Sequence, residues 1–480
     1  MKSALITDFY ELTMAQGYFL KKHNPRVVFD MFYRTNPFRG GYLLFVGIED
    51  LMQKLMDFRF SDEDIAYLES LNYFKKDFLS YLKTYHFRGD IWAFEEGCPA
   101  FPGEPLIRVE TDLIDAQIIE SFLLNTVNFQ SLIATKASRM VHATRGQGNI
   151  MEFGLRRAQG EDGALRAARA SFIGGTKVTS NTYAAKVYSI PPAGTMAHSW
   201  VMSFDSEEEA FREYASIFPD NSVFLIDTYD TLGSGIEAAI KVGLEMKKKG
   251  KKIGVRIDSG DLSYLPKVIR RKLDESGLED ATICVSNDLT EEIISTLVSD
   301  KTPIDSWGIG THLVTGGSQA SLNGVYKLAA REENGVFVPT IKVSNSFEKT
   351  TNPGVKQVWR FYDGYRNALG DLITLSDEEV PVGEDVVFYH PSTDDSFVMK
   401  KKNYREVKPM LTKQMENGKM ISSPRPLRAI QERVAELLSG FDESYKRQIN
   451  PHIYKVSLSK KLKDMKTEMI NEFKEKTKEV

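Results

Sequence analysis

The sequence predicts an α/β protein built on an irregular or incomplete βα-barrel, with a flanking α+β domain and a C-terminal extension. From about residue 138 the chain repeats strand, turn and helix at least six times over about 170 residues. These strands are almost entirely apolar, which is typical of parallel strands covered on both faces. No Gly-x-Gly-x-x-Gly follows the first strand, so a dinucleotide-binding fold is not indicated. The repeat therefore favours a βα-barrel over an open sheet.

A chain of 480 residues exceeds a single hydrophobic core and predicts two or three domains. We expect an N-terminal α+β domain over 1–135 and a barrel domain carrying the candidate site over 136–320. Antiparallel strands and C-terminal helices are expected over 321–480, packed on the N-terminal domain.

The elements follow from apolar periodicity and turn residues. In the N-terminal domain we expect a helix after Asp8, strands at 27–33 and 42–45, helices at 47–58, 61–85 and 115–134, and extended runs at 90–95 and 105–110. In the barrel domain we expect strands at 149–153, 191–197, 222–227, 252–257, 282–285 and 307–309, with helices at 163–172, 180–188, 206–217, 235–249, 262–276 and 290–300. Beyond it we expect a hairpin of 325–330 with 337–343, strands at 356–362 and 386–389, and helices at 424–438 and 460–480.

Composition excludes several function classes. The net charge of −4 gives no reason to expect nucleic acid or a membrane surface as partner. The first residues lack the pattern of a signal peptide, and no apolar run is long enough to span a bilayer. Cys98 and Cys284 stand far apart, so neither a disulfide framework nor a zinc site is indicated. We expect a cytoplasmic protein.

Polar residues follow every predicted barrel strand, and ligands of parallel α/β proteins bind beyond the carboxyl ends of the strands. In strand order they are Arg156 and Arg157; His198; Asp227 and Asp230; Arg256, Asp258 and Asp261; Ser286 and Asn287; Gly310 and Thr311. Each set alone has a structural explanation: Asp227 and Asp261 as helix caps, the arginine pair as partners of surface carboxylates. Six polar ends on one rim indicate a ligand site.

The stretch 189–204 contains two prolines and a glycine before His198. It predicts a short strand that ends in a tight bend and presents one imidazole. Taken alone, such a histidine is more often a hydrogen-bonded residue in a packed corner. Its place on a rim with the other polar ends favours a chemical role.

The last cluster, 308–317, suits an anion, because glycines let backbone N–H groups converge and Thr311 adds a hydroxyl. Asp258 and Asp261 suit a magnesium ion that carries phosphate oxygens. Arg157 and Arg256 suit the forked binding of carboxylate or phosphate. Together these residues predict chemistry on a phosphorylated sugar.

Six stretches of the sequence resemble the nicotinate phosphoribosyltransferase family. They are Thr7-Asp-Phe-Tyr-Glu-Leu-Thr-Met14, Glu152-Phe-Gly-Leu-Arg-Arg-Ala-Gln159, Gly194-Thr-Met-Ala-His-Ser199, Val255-Arg-Ile-Asp-Ser-Gly-Asp261, Val285-Ser-Asn-Asp288 and Gly308-Ile-Gly-Thr311. They occur in order from residue 7 to about 317, and jointly they are specific.

The resemblance implies phosphoribosyl transfer from phosphoribosyl pyrophosphate to nicotinate in NAD biosynthesis, with ATP hydrolysis coupled through a phosphohistidine. It implies that His198 carries the phosphate, that Tyr10, Thr195 and Arg256 bind nicotinate, and that Thr311 binds the phosphoribosyl donor. It also implies a homodimer with the site near the subunit interface. The further donor-binding residues that we predict are Arg157, Ser286, Asn287 and Gly310. The sequence leaves open whether Asp230 or Glu152 orients the imidazole.

Four alternatives remain at this stage. A nicotinamide phosphoribosyltransferase would share the fold and the coupling, whereas a quinolinate enzyme would need more cations and no ATP-linked histidine. A barrel lyase or aldolase would need a Schiff-base lysine at a strand end, and Lys177 is close to one. A non-catalytic phosphosugar-binding protein is the fourth alternative.

Overall fold

A computed structural model describes residues 3–344 and 349–478. The chain forms two compact units, the first from Met1–Leu132 with Ser321–Val480, the second from Ile133–Ala320. The unit boundaries lie at 132/133 and 320/321, where the sequence predicted 135/136 and 320/321. The segment predicted as a C-terminal extension shares its unit with the N-terminal segment.

The strands are numbered in chain order. They are β1 (Arg26–Tyr33), β2 (Leu43–Leu44), β3 (Asp90–Ala93), β4 (Pro99–Ala100), β5 (Ile107–Asp112), β6 (Asn149–Glu152), β7 (Val178–Thr179), β8 (Ser222–Leu225), β9 (Ile253–Ile257), β10 (Thr282–Asn287), β11 (Ser306–Ile309), β12 (Gly324–Glu333), β13 (Val336–Pro339), β14 (Lys356–Tyr362), β15 (Ala368–Leu375), β16 (Val386–Tyr389), β17 (Ser396–Met399), β18 (Glu406–Pro409), β19 (Thr412–Glu416), β20 (Lys419–Met420) and β21 (Val456–Leu458).

The α-helices are numbered in the same way. They are α1 (Phe9–Leu20), α2 (Ile48–Leu55), α3 (Asp62–Ser70), α4 (Lys76–Lys83), α5 (Leu113–Ile118), α6 (Glu120–Ala143), α7 (Gly160–Ile173), α8 (Thr182–Tyr188), α9 (His198–Met202), α10 (Glu207–Ile217), α11 (Ile236–Lys248), α12 (Tyr264–Glu275), α13 (Glu291–Ser299), α14 (Thr311–Val314), α15 (Leu427–Ser439), α16 (Glu443–Lys446) and α17 (Lys460–Lys478). The last two residues of the helix predicted over 460–480 lie outside the described residues.

The first unit contains a seven-stranded sheet in the order β13-β12-β1-β5-β3-β19-β20. β12 pairs antiparallel with β1, so a strand from beyond residue 320 lies directly beside the first strand of the chain. The hairpin predicted at 325–343 is the pair β12 and β13 at one edge of this sheet. The shared sheet explains why the two ends of the chain form one unit.

A second, six-stranded sheet of the first unit has the order β17-β16-β21-β15-β14-β18. Arg360 on β14 is fully buried, and its guanidinium binds Asp371 on β15 at 2.7 Å. The rings of Phe101, Phe441 and Tyr454 lie 5.4–5.8 Å from its charged carbon. This ion pair is enclosed by aromatic rings, which replace the water that the charge loses on burial.

The second unit is a six-stranded parallel sheet in the order β7-β6-β11-β10-β9-β8. Among the described residues its two edge strands do not pair with each other, so it forms a curled half-barrel. Val255, Ile257, Ile283, Val285 and other apolar side chains of these strands are completely buried. The structure confirms, at this coarse level, the incomplete parallel βα-barrel that the sequence predicted.

The prediction of a strand at 191–197 is wrong. Only one bridge forms there, between Pro192 and Thr179, and the corresponding strand of the sheet is β7 (Val178–Thr179). Proline has no N–H to donate to a sheet, which limits this segment to an isolated bridge. His198 begins the short helix α9 instead of following a strand.

Two predicted helices are interrupted. Residues 61–85 form α3 and α4, separated at Asn72, which has a φ of 58°. The helix predicted at 115–134 is α5 followed by α6, which runs on to Ala143.

Within the described part of the chain, no helix combines the length and apolar composition needed to cross a bilayer.

Candidate active site

The centre of the site is the guanidinium of Arg256, near the carboxyl end of β9. Its Nε donates to Ser286 Oγ at 2.9 Å, its Nη1 to Thr195 Oγ1 at 3.0 Å, and its Nη2 to Asp258 Oδ1 at 2.9 Å. The ring centroid of Phe153 lies 5.8 Å from the guanidinium carbon. The side chain is 12% exposed, so the cation is fixed in position yet reaches solvent.

Two partners of Arg256 also contact each other: the Ser286 hydroxyl donates a hydrogen bond to Asp258 Oδ1. Burial opposes the charged form of Asp258, but hydrogen bonds from Ser286 and the Arg256 cation outweigh it. The pKa of this carboxyl is therefore lowered. Asp258 is ionised at neutral pH and balances the arginine.

The imidazole of His198 lies near this cluster, at the carboxyl ends of the parallel strands. Its Nδ1 is 3.1 Å from the hydroxyl of Thr228, which follows β8. His198 is also close enough to Asp258 to influence the pKa of that carboxyl. Among the described residues, neither predicted carboxylate forms a hydrogen bond with the ring. Asp230 accepts from the backbone N–H groups of Leu232 and Gly233, and both oxygens of Glu152 accept from other groups. Thr228 is thus the hydrogen-bonding partner that the sequence analysis missed.

Glu152, at the end of β6, has a structural position. It is 1% exposed and accepts hydrogen bonds from the backbone of Gly154 and the hydroxyl of Thr179. Burial raises the pKa of its carboxyl. Glu152 therefore links the end of β6 to β7. These contacts give it a structural role, and no contact with the His198 ring is needed to explain it.

The loop after β11 approaches the neighbouring strand closely. Gly310 has φ −112° and ψ −94° and precedes α14, whose first residue is Thr311. A Cβ at Gly310 would lie 3.1 Å from the Phe153 carbonyl oxygen, and one at Gly154 would lie 2.2 Å from Val314. A side chain would crowd the Phe153 backbone at Gly310 and the Val314 side chain at Gly154, so these two glycines allow the loop to pack closely against the end of β6.

Two predicted residues project at the rim. Asn287 ends β10 with a φ of 133°, a conformation that a residue with a side chain rarely adopts. Such strain concentrates at functional sites. Arg157 lies in an exposed turn after β6, and its backbone N–H donates to Gly154 O at 2.8 Å.

The two carboxylates predicted to hold magnesium each keep one oxygen available. Asp261 Oδ1 accepts the backbone N–H groups of Ser263 and Tyr264 at 2.9 and 3.0 Å, so this residue does cap the following helix. In the described part of the chain, Oδ2 of Asp258 and of Asp261 makes no hydrogen bond. No cluster of three or more metal-ligating side chains occurs among the described residues, so a cation here would need substrate oxygens as well.

Asp227 is a further carboxylate of the rim. Its Oδ2 accepts from the Asp258 backbone N–H at 2.9 Å and from the Ser259 hydroxyl at 2.6 Å. Its Oδ1 is buried and has no hydrogen-bond partner among the described residues. Asp227 therefore joins the ends of β8 and β9.

Tyr10 belongs to the first unit, on α1, and its side chain is 51% exposed. A hydrogen bond with Glu11 and partial burial raise the pKa of its hydroxyl. The exposed ring is available for stacking.

The fold and the cluster define a class: an α/β protein with a cation, carboxylates and a glycine-containing loop at the carboxyl edge of a parallel sheet. Family models match most of the chain: the nicotinate phosphoribosyltransferase N-terminal domain over residues 5–128, the family itself over 149–359, and the C-terminal domain over 355–466.

Relatives match over the whole chain. It is 40% identical over 478 residues to nicotinate phosphoribosyltransferase of Bacillus subtilis (strain 168), with 99% of this chain and 97% of that protein covered. Identity to the Homo sapiens enzyme is 32% over 518 residues, with 95% of each covered. The chain belongs to the nicotinate phosphoribosyltransferase family.

Solved structures agree. The crystal structure of human nicotinic acid phosphoribosyltransferase matches with a TM-score of 0.84 and 28% identity, covering 96% of this chain and 99% of that one. The nicotinate-nucleotide pyrophosphorylase of Pyrococcus furiosus, with a TM-score of 0.69 and 21% identity, shares the fold.

Proposed function

We propose that this chain transfers the phosphoribosyl group of phosphoribosyl pyrophosphate to nicotinate, giving nicotinate mononucleotide and pyrophosphate in NAD biosynthesis. We further propose that ATP hydrolysis is coupled to this transfer through phosphorylation of His198. In the transfer, the C1–oxygen bond to pyrophosphate breaks and a bond from C1 to the pyridine nitrogen forms.

The observation that carries the proposal is the number of Arg256 N–H groups that remain available to a ligand. A guanidinium has five N–H donors. Among the described residues, one hydrogen bond each to Ser286, Thr195 and Asp258 leaves one N–H on each terminal nitrogen, apart from a long 3.5 Å contact of Nη1 with the Met196 carbonyl. A carboxylate can accept hydrogen bonds from both terminal nitrogens of one guanidinium. Nicotinate has that carboxylate, whereas nicotinamide does not.

The donor side consists of the neighbouring strand ends. We propose that phosphoribosyl pyrophosphate binds to Arg157, Ser286, Asn287, Gly310 and Thr311. Most of the catalytic effect would then come from orientation and from stabilising the leaving anion. Asp258 and Asp261 fit a magnesium ion through their unbonded oxygens, and when bound the ion would neutralise the charge of pyrophosphate.

The proposed coupling uses the imidazole. With Nδ1 protonated and donating to Thr228, Nε2 keeps its lone pair. Nε2 attacks the γ-phosphorus of ATP, the bond to the ADP oxygen breaks, and water later hydrolyses the phosphohistidine to free phosphate. Tyr10 stays the predicted stacking partner of the pyridine ring, and the homodimer stays a prediction as well.

The test is product formation by the purified chain with nicotinate, nicotinamide and quinolinate in turn, each with phosphoribosyl pyrophosphate and Mg²⁺. We expect nicotinate to be used with a kcat/KM at least about 100-fold above that of nicotinamide, because the amide cannot accept both N–H groups as a charged fork. Equal or better use of nicotinamide would reject the proposed substrate.

The coupling is tested separately by incubation with γ-labelled ATP. Acid-labile label on the chain that disappears in His198→Ala supports the phosphohistidine. No label, or equal label in the variant, would reject the coupling and leave the transfer reaction as proposed.

A further inference from the structure

The connection between β8 and α11 carries the residue that contacts the imidazole. It comprises residues 226–235, here called the β8–α11 loop, and it lies wholly in the second unit. Thr228, in this loop, has its hydroxyl 3.1 Å from His198 Nδ1. Because Thr228 belongs to neither the strand nor the helix, the position of its hydroxyl depends on how the loop is fixed on each side.

The strand side of the loop is fixed to the end of β9. The backbone N–H of Ile226 donates to the Arg256 carbonyl oxygen at 3.2 Å, one residue beyond the last residue of β8. Asp227 Oδ2 then accepts the backbone N–H of Asp258 at 2.9 Å. The two residues before Thr228 are therefore held by the neighbouring strand end.

The helix side of the loop is fixed by Asp230. Its Oδ1 accepts the backbone N–H groups of Leu232 at 3.2 Å and Gly233 at 3.0 Å. Its backbone oxygen accepts the N–H of Gly235 at 2.9 Å. One residue thus closes the π-helical turn 231–235 that leads into α11.

Two glycines allow the ends of the loop to pack against each other. A Cβ at Gly233 would collide with the carboxylate of Asp230, and a Cβ at Gly235 would collide with the carbonyl oxygen of Ile226. Gly233 also has φ −102° and ψ −110°, outside the helical region. Turns of this π-helical kind are frequent at functional sites. A displacement of Asp230 would therefore reach Thr228, which is only two residues away.

Two roles for Asp230 are chemically distinct. As the acceptor of two backbone N–H groups it fixes the loop, and the amide oxygen of an asparagine can do the same. As a negative charge it would stabilise a protonated imidazole, and an asparagine could not. The hydrogen bonds of Oδ1 favour the first role, and the side chain is solvent-exposed, where water and salt weaken the effect of its charge.

We propose that Asp230 is a positioning residue for His198 that acts through Thr228. By closing the β8–α11 loop, its carboxylate holds the hydroxyl of Thr228 at Nδ1, so that Nδ1 carries the proton and Nε2 keeps the lone pair. The inference rests on the proposed phosphorylation of His198 for its effect on the reaction, and it requires no contact between Asp230 and the ring.

The first experiment measures the rate at which γ-labelled ATP labels the full-length chain. We expect Asp230→Ala to slow labelling several-fold, and by no more than Thr228→Val does. Asp230→Asn should stay within about twofold of the wild type, because its amide oxygen still accepts both N–H groups. Glu237→Ala is the matched control, since Glu237 is an exposed carboxylate in the first turn of α11. An unchanged rate in Asp230→Ala, or an equal loss in Asp230→Asn, would overturn the proposal.

A double variant tests whether Asp230 acts through Thr228. Residues that act through one contact have non-additive effects. Adding Asp230→Ala to Thr228→Val should therefore change the labelling rate by less than about twofold. A further loss as large as that of Asp230→Ala alone would show that the two residues act separately, and it would overturn the proposal.

The state of the ring can also be measured without ATP. The chain contains seven histidines, and in a chain with ¹⁵N-labelled histidine the signals that disappear in His198→Ala identify this ring. We expect the Nδ1-protonated tautomer in the wild type and in Asp230→Asn, and a mixture of tautomers in Asp230→Ala. The same tautomer in all three chains would overturn the proposal. If the wild-type chain takes no label from ATP, the proposed coupling fails, and the tautomers alone decide whether Asp230 positions the ring.

Discussion

Replacing Arg256 with alanine removes the cation that Thr195, Ser286 and Asp258 hold in place. If this guanidinium binds the carboxylate of nicotinate, the variant loses a bidentate, charge-assisted contact in a site where the arginine side chain is only 12% exposed. Loss of one partner from such a pair costs about 2–4 kcal/mol. That range corresponds to roughly 30- to 1000-fold weaker binding of nicotinate.

The assay is steady-state kinetics with each substrate varied in turn. We expect the KM for nicotinate to rise by the factor above, whereas the KM for phosphoribosyl pyrophosphate should change much less. Arg256→Lys should fall between, since an ammonium keeps the charge but not the fork. The matched control is Arg271→Ala, an exposed arginine of α12 in the same unit. An unchanged KM for nicotinate in Arg256→Ala, with the fold intact by circular dichroism, would show that this guanidinium does not bind the carboxylate.

Three further predictions concern positioning, pH and stability. Thr228→Val removes only the hydroxyl that contacts His198 Nδ1. It should therefore reduce acid-labile labelling of His198 by ATP several-fold and leave the KM for nicotinate unchanged. Unaltered labelling would contradict this. Burial, and secondarily Asp112, raises the pKa of Asp115 to about 7, so the folded chain loses stability as pH rises from about 4 to 7. Asp115→Asn should therefore be more stable by about 2–4 kcal/mol at pH 8 in urea unfolding and equal near pH 4, and no pH-dependent difference would contradict it. Glu291→Gln removes the buried carboxylate that Lys136 contacts and should cost about 3–5 kcal/mol, whereas a loss below about 1 kcal/mol would contradict it.

The parallel sheet was predictable because its strands are buried on both faces. Residues 252–257 and 282–285 are rich in β-branched apolar residues, and the structure has β9 and β10 within two residues of those limits. The polar residue Asp258 follows β9 directly, whereas β10 continues through the polar residues Ser286 and Asn287, so the end of β10 was predicted two residues too early. The same signal was absent from β18 (Glu406–Pro409), which is short and largely exposed and was not predicted.

The candidate site was only partly predictable. A parallel topology brings the strand ends to one edge, so the neighbourhood of Arg256, Asp258 and Ser286 followed from the sequence. The contact of Arg256 with Thr195 spans 61 positions and depends on an irregular segment that was expected to be a strand. The partner of His198 was assigned to a carboxylate, because charge is visible in a sequence and the orientation of a hydroxyl such as Thr228 is not.

The pairing of the two chain ends was not predictable from periodicity. β12 joins β1 at a separation of about 300 residues, and apolar alternation marks a strand without naming its neighbour. Arg360 and Asp371 illustrate the point, because each looks like a surface charge in the sequence and both are fully buried together.

The binding of nicotinate by Arg256 is tested most directly by a crystal structure of the chain soaked with nicotinate and pyrophosphate. We expect the nicotinate carboxylate within about 3 Å of both terminal nitrogens of Arg256. A carboxylate bound away from Arg256, with nothing but solvent at the guanidinium, would contradict it.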